Sequence, residues 1–97
     1  MTQIKDYNFT IYFSKQADKD IEKIKRKGLK EKVEEILYIM IKDPFSYPPS
    51  YEKLTGDYAG LYSRRINRQH RIVYKVDEIN KTIYVYTMWT HYDNVKY

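Results

Sequence analysis

The chain has 97 residues, 42% of them hydrophobic, and no cysteine; that is enough for one domain with one modest core, and it rules out disulfide and thiolate chemistry. No run of ~18 apolar residues occurs, which excludes a membrane-spanning helix, and the opening MTQIKDYNF lacks the apolar stretch of a secretory leader, so a reducing cytoplasm is the expected compartment. Eighteen basic residues against 13 acidic ones give a net charge of +5, and its placement is uneven. Between Tyr58 and Val76 stand Arg64, Arg65, Arg68, Arg71 and Lys75 with no Asp or Glu, while the rest of the chain balances 13 basic against 13 acidic residues. A focused positive field draws polyanions, although a basic strand face can also be simply solvated.

In chain order, Asn8 to Ser14 alternates, with Phe9, Ile11 and Phe13 on one side; period two predicts a strand. Ser14 then fits an N-cap, and Ala17, Ile21 and Ile24 carry the apolar stripe of a helix to about Arg26, which Gly28 closes. A second helix is predicted from Leu29 to Lys42, with Leu29, Val33, Ile36, Leu37 and Met40 facing inward and KEKVEE supplying i,i+4 charge pairs outward; Pro44 stops it. Phe45 to Gly60, with Pro48, Pro49, Gly56 and Gly60, reads as a long irregular connection of the kind that is often functional. Three strands follow: Leu61–Ile66, Gln69–Val76 and Thr82–Thr90, the last two joined by a turn at Asp77 to Lys81. The fold class is α+β, in the order β-α-α-β-β-β: a two-helix hairpin packed on one face of a twisted, mainly antiparallel four-stranded sheet. Residues 1–97 form a single domain, with 1–7 an N-terminal extension and 93–97 a polar tail. The arginines are expected on the sheet face that the helices leave open.

The stretch SRRINRQHRIVYKV, Ser63 to Val76, holds those arginines on a hairpin. A two-residue turn would set Arg64 opposite Arg71, and a three-residue turn would set Arg65 opposite Arg71. The absence of an Asn-Gly pair favours the longer turn. In either register two guanidinium groups face each other, which is unfavourable unless an anion lies between them.

Candidate chemistry is sparse. Of the two histidines, His70 lies inside the hairpin and reads as structural. His91 lies where the last strand ends, and a free imidazole there could donate or accept a proton near neutral pH. Glu52 precedes the basic strands; it is either a solvated loop carboxylate beside Lys53 or a base held ionised over an arginine-rich face. Two His and no Cys fit no metal pattern, and there is no Gly-rich phosphate loop, so neither a metal nor a cofactor is expected. Twelve tyrosines mostly reflect strand propensity, though Tyr62, Tyr86 and Tyr92 could offer stacking faces to bases.

The segment YEKLTGDYAGLYSRRINRQHRIVYKV, followed after the final strand by His91-Tyr92, resembles the Txe/YoeB family of toxin–antitoxin ribonucleases within the RelE/ParE superfamily, over roughly Phe9 to Tyr92. The resemblance implies a small RelE-like toxin that cuts messenger RNA on the ribosome, inhibits translation and is neutralised by a cognate, YefM-like antitoxin. It maps the family's carboxylate to Glu52, its phosphate-binding arginines to Arg65 and Arg71 and its closing His-Tyr pair to His91 and Tyr92; Glu52, Arg71, His91 and Tyr92 are thus the expected catalytic residues, and Arg64, Arg65, Arg68 and Lys53 are expected around them as RNA- and phosphate-binding residues. Three features depart from the family pattern: Thr55 stands where a lysine is common, Gln69 where a glutamate is common, and the chain continues past His91-Tyr92 through Asp93 to Tyr97. Two other readings carry different expectations. A gyrase-directed toxin of the ParE branch needs neither acid nor base, and a non-catalytic nucleic-acid-binding module binds without product.

Overall fold

The computed structural model describes residues 8–89. Strand β1 (Thr10–Phe13) leads into helix α1 (Lys15–Arg26) and helix α2 (Lys30–Lys42). Three further strands, β2 (Glu52–Lys53), β3 (Tyr62–Arg65) and β4 (Arg71–Asp77), precede the last, β5 (Thr82–Thr87). The sheet has five strands in the order β1-β5-β4-β3-β2. β1 runs parallel to β5, and the other neighbours are antiparallel. The α+β class, the two-helix hairpin and the mainly antiparallel sheet are as the sequence predicts; the strand count is corrected from four to five. The additional strand, β2, has two residues, both with exposed side chains. Such a short stretch cannot display a period-two pattern, so it was lost in the connection.

Local chemistry accounts for the helix boundaries. Ser14 is extended, and its Oγ accepts a hydrogen bond from the Ala17 amide at 3.0 Å while donating to the Tyr86 carbonyl at 2.8 Å. One hydroxyl thus satisfies an orphan helix N–H and ties α1 to β5. Gly28 takes φ +74°, the left-handed geometry that lets the chain reverse between the helices. After α2, Asp43 is extended (φ −161°), as the residue ahead of Pro44 must be.

The helices bury Ala17, Asp20 and Ile24 from α1 and Val33, Ile36 and Met40 from α2 against Ile66, Ile72, Tyr74, Ile83, Val85 and Met88. Leu29 and Leu37, expected in the same stripe, are half-buried at its edge. On the opposite face a small cluster of Leu54, Leu61 and Val73, flanked by Tyr58 and Tyr86, packs the second half of the long connection onto the sheet. Among the described residues, no helix is long and apolar enough to cross a membrane.

The final strand ends at Thr87, short of the expected Thr90. The reason is visible in Asp20, fully buried on α1. Its Oδ2 accepts hydrogen bonds from the Thr87 hydroxyl and the Met88 amide, both at 2.9 Å, and its Oδ1 accepts from Gln16 Nε2 at 2.9 Å. The Met88 amide is therefore spent on a helix side chain rather than on the sheet.

Candidate active site

The β3–β4 hairpin closes with the longer turn. Ile66 N–H donates to the His70 carbonyl at 2.8 Å, and Asn67 Oδ1 accepts from the Gln69 and His70 amides, each at 2.8 Å. This side-chain turn substitutes for the missing Asn-Gly. The resulting register sets Arg65 opposite Arg71, Arg64 opposite Ile72 and Ser63 opposite Val73, while Glu52 of β2 lies opposite Ser63.

Strand alternation then sorts the side chains. Ile72 and Tyr74 belong to the helix-side core, so Glu52, Ser63, Arg65, Arg71 and Val73 share the open face. There Arg71 Nη1 donates to Glu52 Oε1 at 3.2 Å and to Ser63 Oγ at 3.0 Å. The Arg71 side chain is 18% exposed and the Glu52 side chain 57% exposed. A guanidinium held from below and a carboxylate facing water thus sit side by side. Arg65 is exposed beside them, and among the described residues no hydrogen bond or ion pair engages its guanidinium. Arg68 is exposed in the hairpin turn, beyond the last paired residues. Lys53 is exposed and alternates to the other side of β2 from Glu52, yet both border a recess of about 360 Å³ with Leu54, Thr55 and Tyr58.

Arg64 is a correction. It was expected among the phosphate contacts, and it is interior, 1% exposed. Its Nε donates to the Tyr74 hydroxyl at 3.1 Å, its Nη1 to the Pro49 carbonyl at 2.6 Å, and its Nη2 to the carbonyls of Pro44 and Ser46, each at 2.9 Å. The Tyr51 ring lies 5.1 Å from the guanidinium carbon. The register that places Arg65 on the open face places its neighbour inside, where it ties the first half of the long connection to β3. Burial drives the Tyr74 hydroxyl, which donates to the Pro44 carbonyl at 3.0 Å, up to about 12, against the opposing pull of the Arg64 charge.

Tyr62 likewise faces the helix side, edge-on to Phe45 with ring centroids 5.1 Å apart, and Tyr86 is half-buried beside Val73. Both are half-buried, and both border a cavity of about 640 Å³. His70 is buried and stacked on Trp89, with centroids 4.1 Å apart and planes at 16°, in keeping with a structural role. His91 and Tyr92 lie outside the described residues. The sequence reading did not single out Ser63, whose hydroxyl steadies Arg71; its signal was the parity that puts it on the same face as Glu52 and Arg71. Among the described residues, no group of three or more His, Cys, Asp or Glu side chains converges as a metal site would require.

A two-helix hairpin on one face of a mixed sheet is the fold of the RelE-like toxins. An archaeal RelE–RelB complex from Pyrococcus horikoshii superposes with a TM-score of 0.70 at 22% identity, covering 86% of this chain and 94% of that one. Nearer in sequence is a YoeB/ParE toxin from Agrobacterium tumefaciens, with a TM-score of 0.78 and 29% identity over 87% of this chain and all (100%) of that one. The toxin in a heterotetrameric YoeB–YefM toxin–antitoxin complex from Staphylococcus aureus is 33% identical, with a TM-score of 0.73 over 87% of this chain and 98% of its own. The family of YoeB-like toxins of bacterial type II toxin–antitoxin systems matches residues 3–92, and the chain belongs to it. A comparison with curated proteins finds no match.

Proposed function

We propose that this toxin is an endoribonuclease that cuts messenger RNA, acting on the ribosome in the cytoplasm, with Glu52 as general base and His91 as general acid. The observation that carries the reading is the Glu52–Arg71–Ser63 contact on an open, basic sheet face, with Arg65 beside it. The substrate's 2′-oxygen attacks the adjacent phosphorus, and its proton passes to the Glu52 carboxylate. The bond from phosphorus to the 5′-oxygen breaks, and that oxygen takes a proton from the His91 imidazolium. The products are a 2′,3′-cyclic phosphate and a 5′-hydroxyl. Each proton transfer is worth typically 10²–10⁴-fold.

In the resting protein Arg71 is shared between Glu52 and Ser63. An incoming phosphate, a bidentate partner for a guanidinium, competes with the carboxylate for Arg71. That exchange seats the phosphate and releases Glu52 toward the 2′-hydroxyl. Arg71 and Arg65 then face the charge that builds on the pentacoordinate phosphorus, and Tyr92 orients the phosphate. Arg68 and Lys53 contribute field rather than contact. DNA lacks the attacking hydroxyl and is not cut by this route. The neutralising partner is a YefM-like antitoxin whose acidic segment covers the same face.

The test is to map RNA ends after incubation with purified protein and with Glu52→Gln and His91→Ala. Cyclic-phosphate ends with the parent, and losses of at least about a hundredfold in each folded variant, are expected. Wild-type rates in either variant would remove that residue from its role. Intact RNA accompanied by inhibited gyrase supercoiling would assign the protein to the ParE type of target instead.

A further inference from the structure

On the same open face, away from Glu52 and Arg71, lies a second group of side chains that this chemistry does not use. Tyr84 of β5 is opposite Lys75 of β4, and Tyr12 of β1 is opposite Tyr84. The two tyrosine rings stack with centroids 5.9 Å apart and planes at 24°, yet Tyr12 remains 55% and Tyr84 41% exposed. Lys75 is exposed beside them. Beside Tyr84 a cavity of about 640 Å³ is bordered by Lys75, Asp77, Glu78 and Tyr86 and reaches round to Phe45 and Tyr62; it is within the usual size range of small-ligand sites. Lys75 follows Arg71 by four residues on one strand, roughly 13 Å, and side-chain parity keeps both on one face.

Cross-strand aromatic pairs stabilise sheets by packing, but a pair kept only for that purpose has no need of exposed rings with a cation and an open cavity beside one of them. We propose that Tyr12, Tyr84 and Lys75 form a second subsite, which takes an unpaired nucleotide of single-stranded RNA flanking the cleaved linkage; this rests on the nuclease reading above. The base stacks on the exposed tyrosine pair and the phosphate meets Lys75. Asp77 and Glu78 hold the outer end of the cavity negative, so the strand's phosphates are repelled there and enter from the Lys75 side. The path from Arg71 to Tyr12 is short compared with the ~4–16 nucleotides that single-strand grooves commonly cover. A few flanking nucleotides therefore bridge the two subsites. Continuity with the basic face and the sign of Lys75 favour RNA over a second copy of the chain.

The experiment is equilibrium binding in a Glu52→Gln background, where cleavage is blocked, using a labelled unstructured RNA of about eight nucleotides and a dinucleotide. Combined Tyr12→Thr and Tyr84→Thr, chosen because threonine keeps strand propensity, is expected to weaken the longer RNA by about five- to a hundredfold and to leave the dinucleotide unchanged. Lys75→Met is expected to reduce the slope of log K against log salt by about 0.7. Binding of the longer RNA that is insensitive to these changes, in variants with wild-type melting curves, overturns the subsite alone; loss of self-association in its place assigns the tyrosines to a contact between copies. Failure of both RNAs to bind the Glu52→Gln protein overturns the nuclease reading and the subsite together.

Discussion

Arg64 and Arg65 are adjacent and chemically identical, and the sheet gives them opposite fates. Arg64 supplies donors to three buried or half-buried carbonyls; Arg64→Met strands those of Pro49 and Ser46 and leaves that of Pro44 only the Tyr74 hydroxyl, and the expected loss is about 2–3 kcal/mol, read by urea unfolding. Arg65→Ala leaves nothing buried unsatisfied and should stay within about 0.5 kcal/mol of the parent, while weakening RNA binding. Equal stability losses in the two variants would contradict the assignment. Tyr74 gives a pH signature. Below pH ~10 the unfolded tyrosine keeps its proton, as the buried one does, and the contribution to stability is constant. Between that pH and about 12 the unfolded chain has ionised and the native one has not, so stability falls as pH rises, by on the order of 2–3 kcal/mol. Tyr74→Phe should flatten that limb of a stability–pH curve relative to the parent. The interior place of Arg64 was legible in one respect. It stands at period two between Tyr62 and Ile66, two apolar positions, but charge content outweighed parity when the basic segment was read as one surface.

Among the elements, the apolar stripes and the Ser14 and Gly28 boundaries made both helices readable, because a dozen residues carry enough periodicity to identify a face. Asp20 was not read, although it sits three residues after Ala17 and four before Ile24 on the inward stripe. Its partners, Thr87 and Met88, come from the far end of the chain and could not be foreseen locally. Asp20→Ala leaves a hydroxyl and an amide buried without an acceptor, and a loss of about 3–5 kcal/mol in chemical unfolding is expected. Asp20→Asn keeps one acceptor oxygen and should recover part of it. Among the catalytic candidates, Glu52 and Arg71 were found through the resemblance. What brings them into contact is β2, too short to be seen as a strand, and the Asn67 side-chain turn, which fixes the hairpin register.

For the molecule as a whole, net charge and its location pointed to the open sheet face but overstated how much of the charge lies there. Of the five cations between Tyr58 and Val76, Arg64 is interior and Arg71 is engaged by Glu52, which leaves Arg65, Arg68 and Lys75 to shape most of the outward field. The topology has a further outcome. β1 is paired with β5, so the first strand made on the ribosome waits for the last before it finds its neighbour. Helices can form early, but the platform that holds Glu52 and Arg71 together is braced only once nearly the whole polypeptide has emerged. On the nuclease reading proposed above, the toxin is therefore expected to stay inert while it is being made, the interval in which a co-produced inhibitor can reach it first.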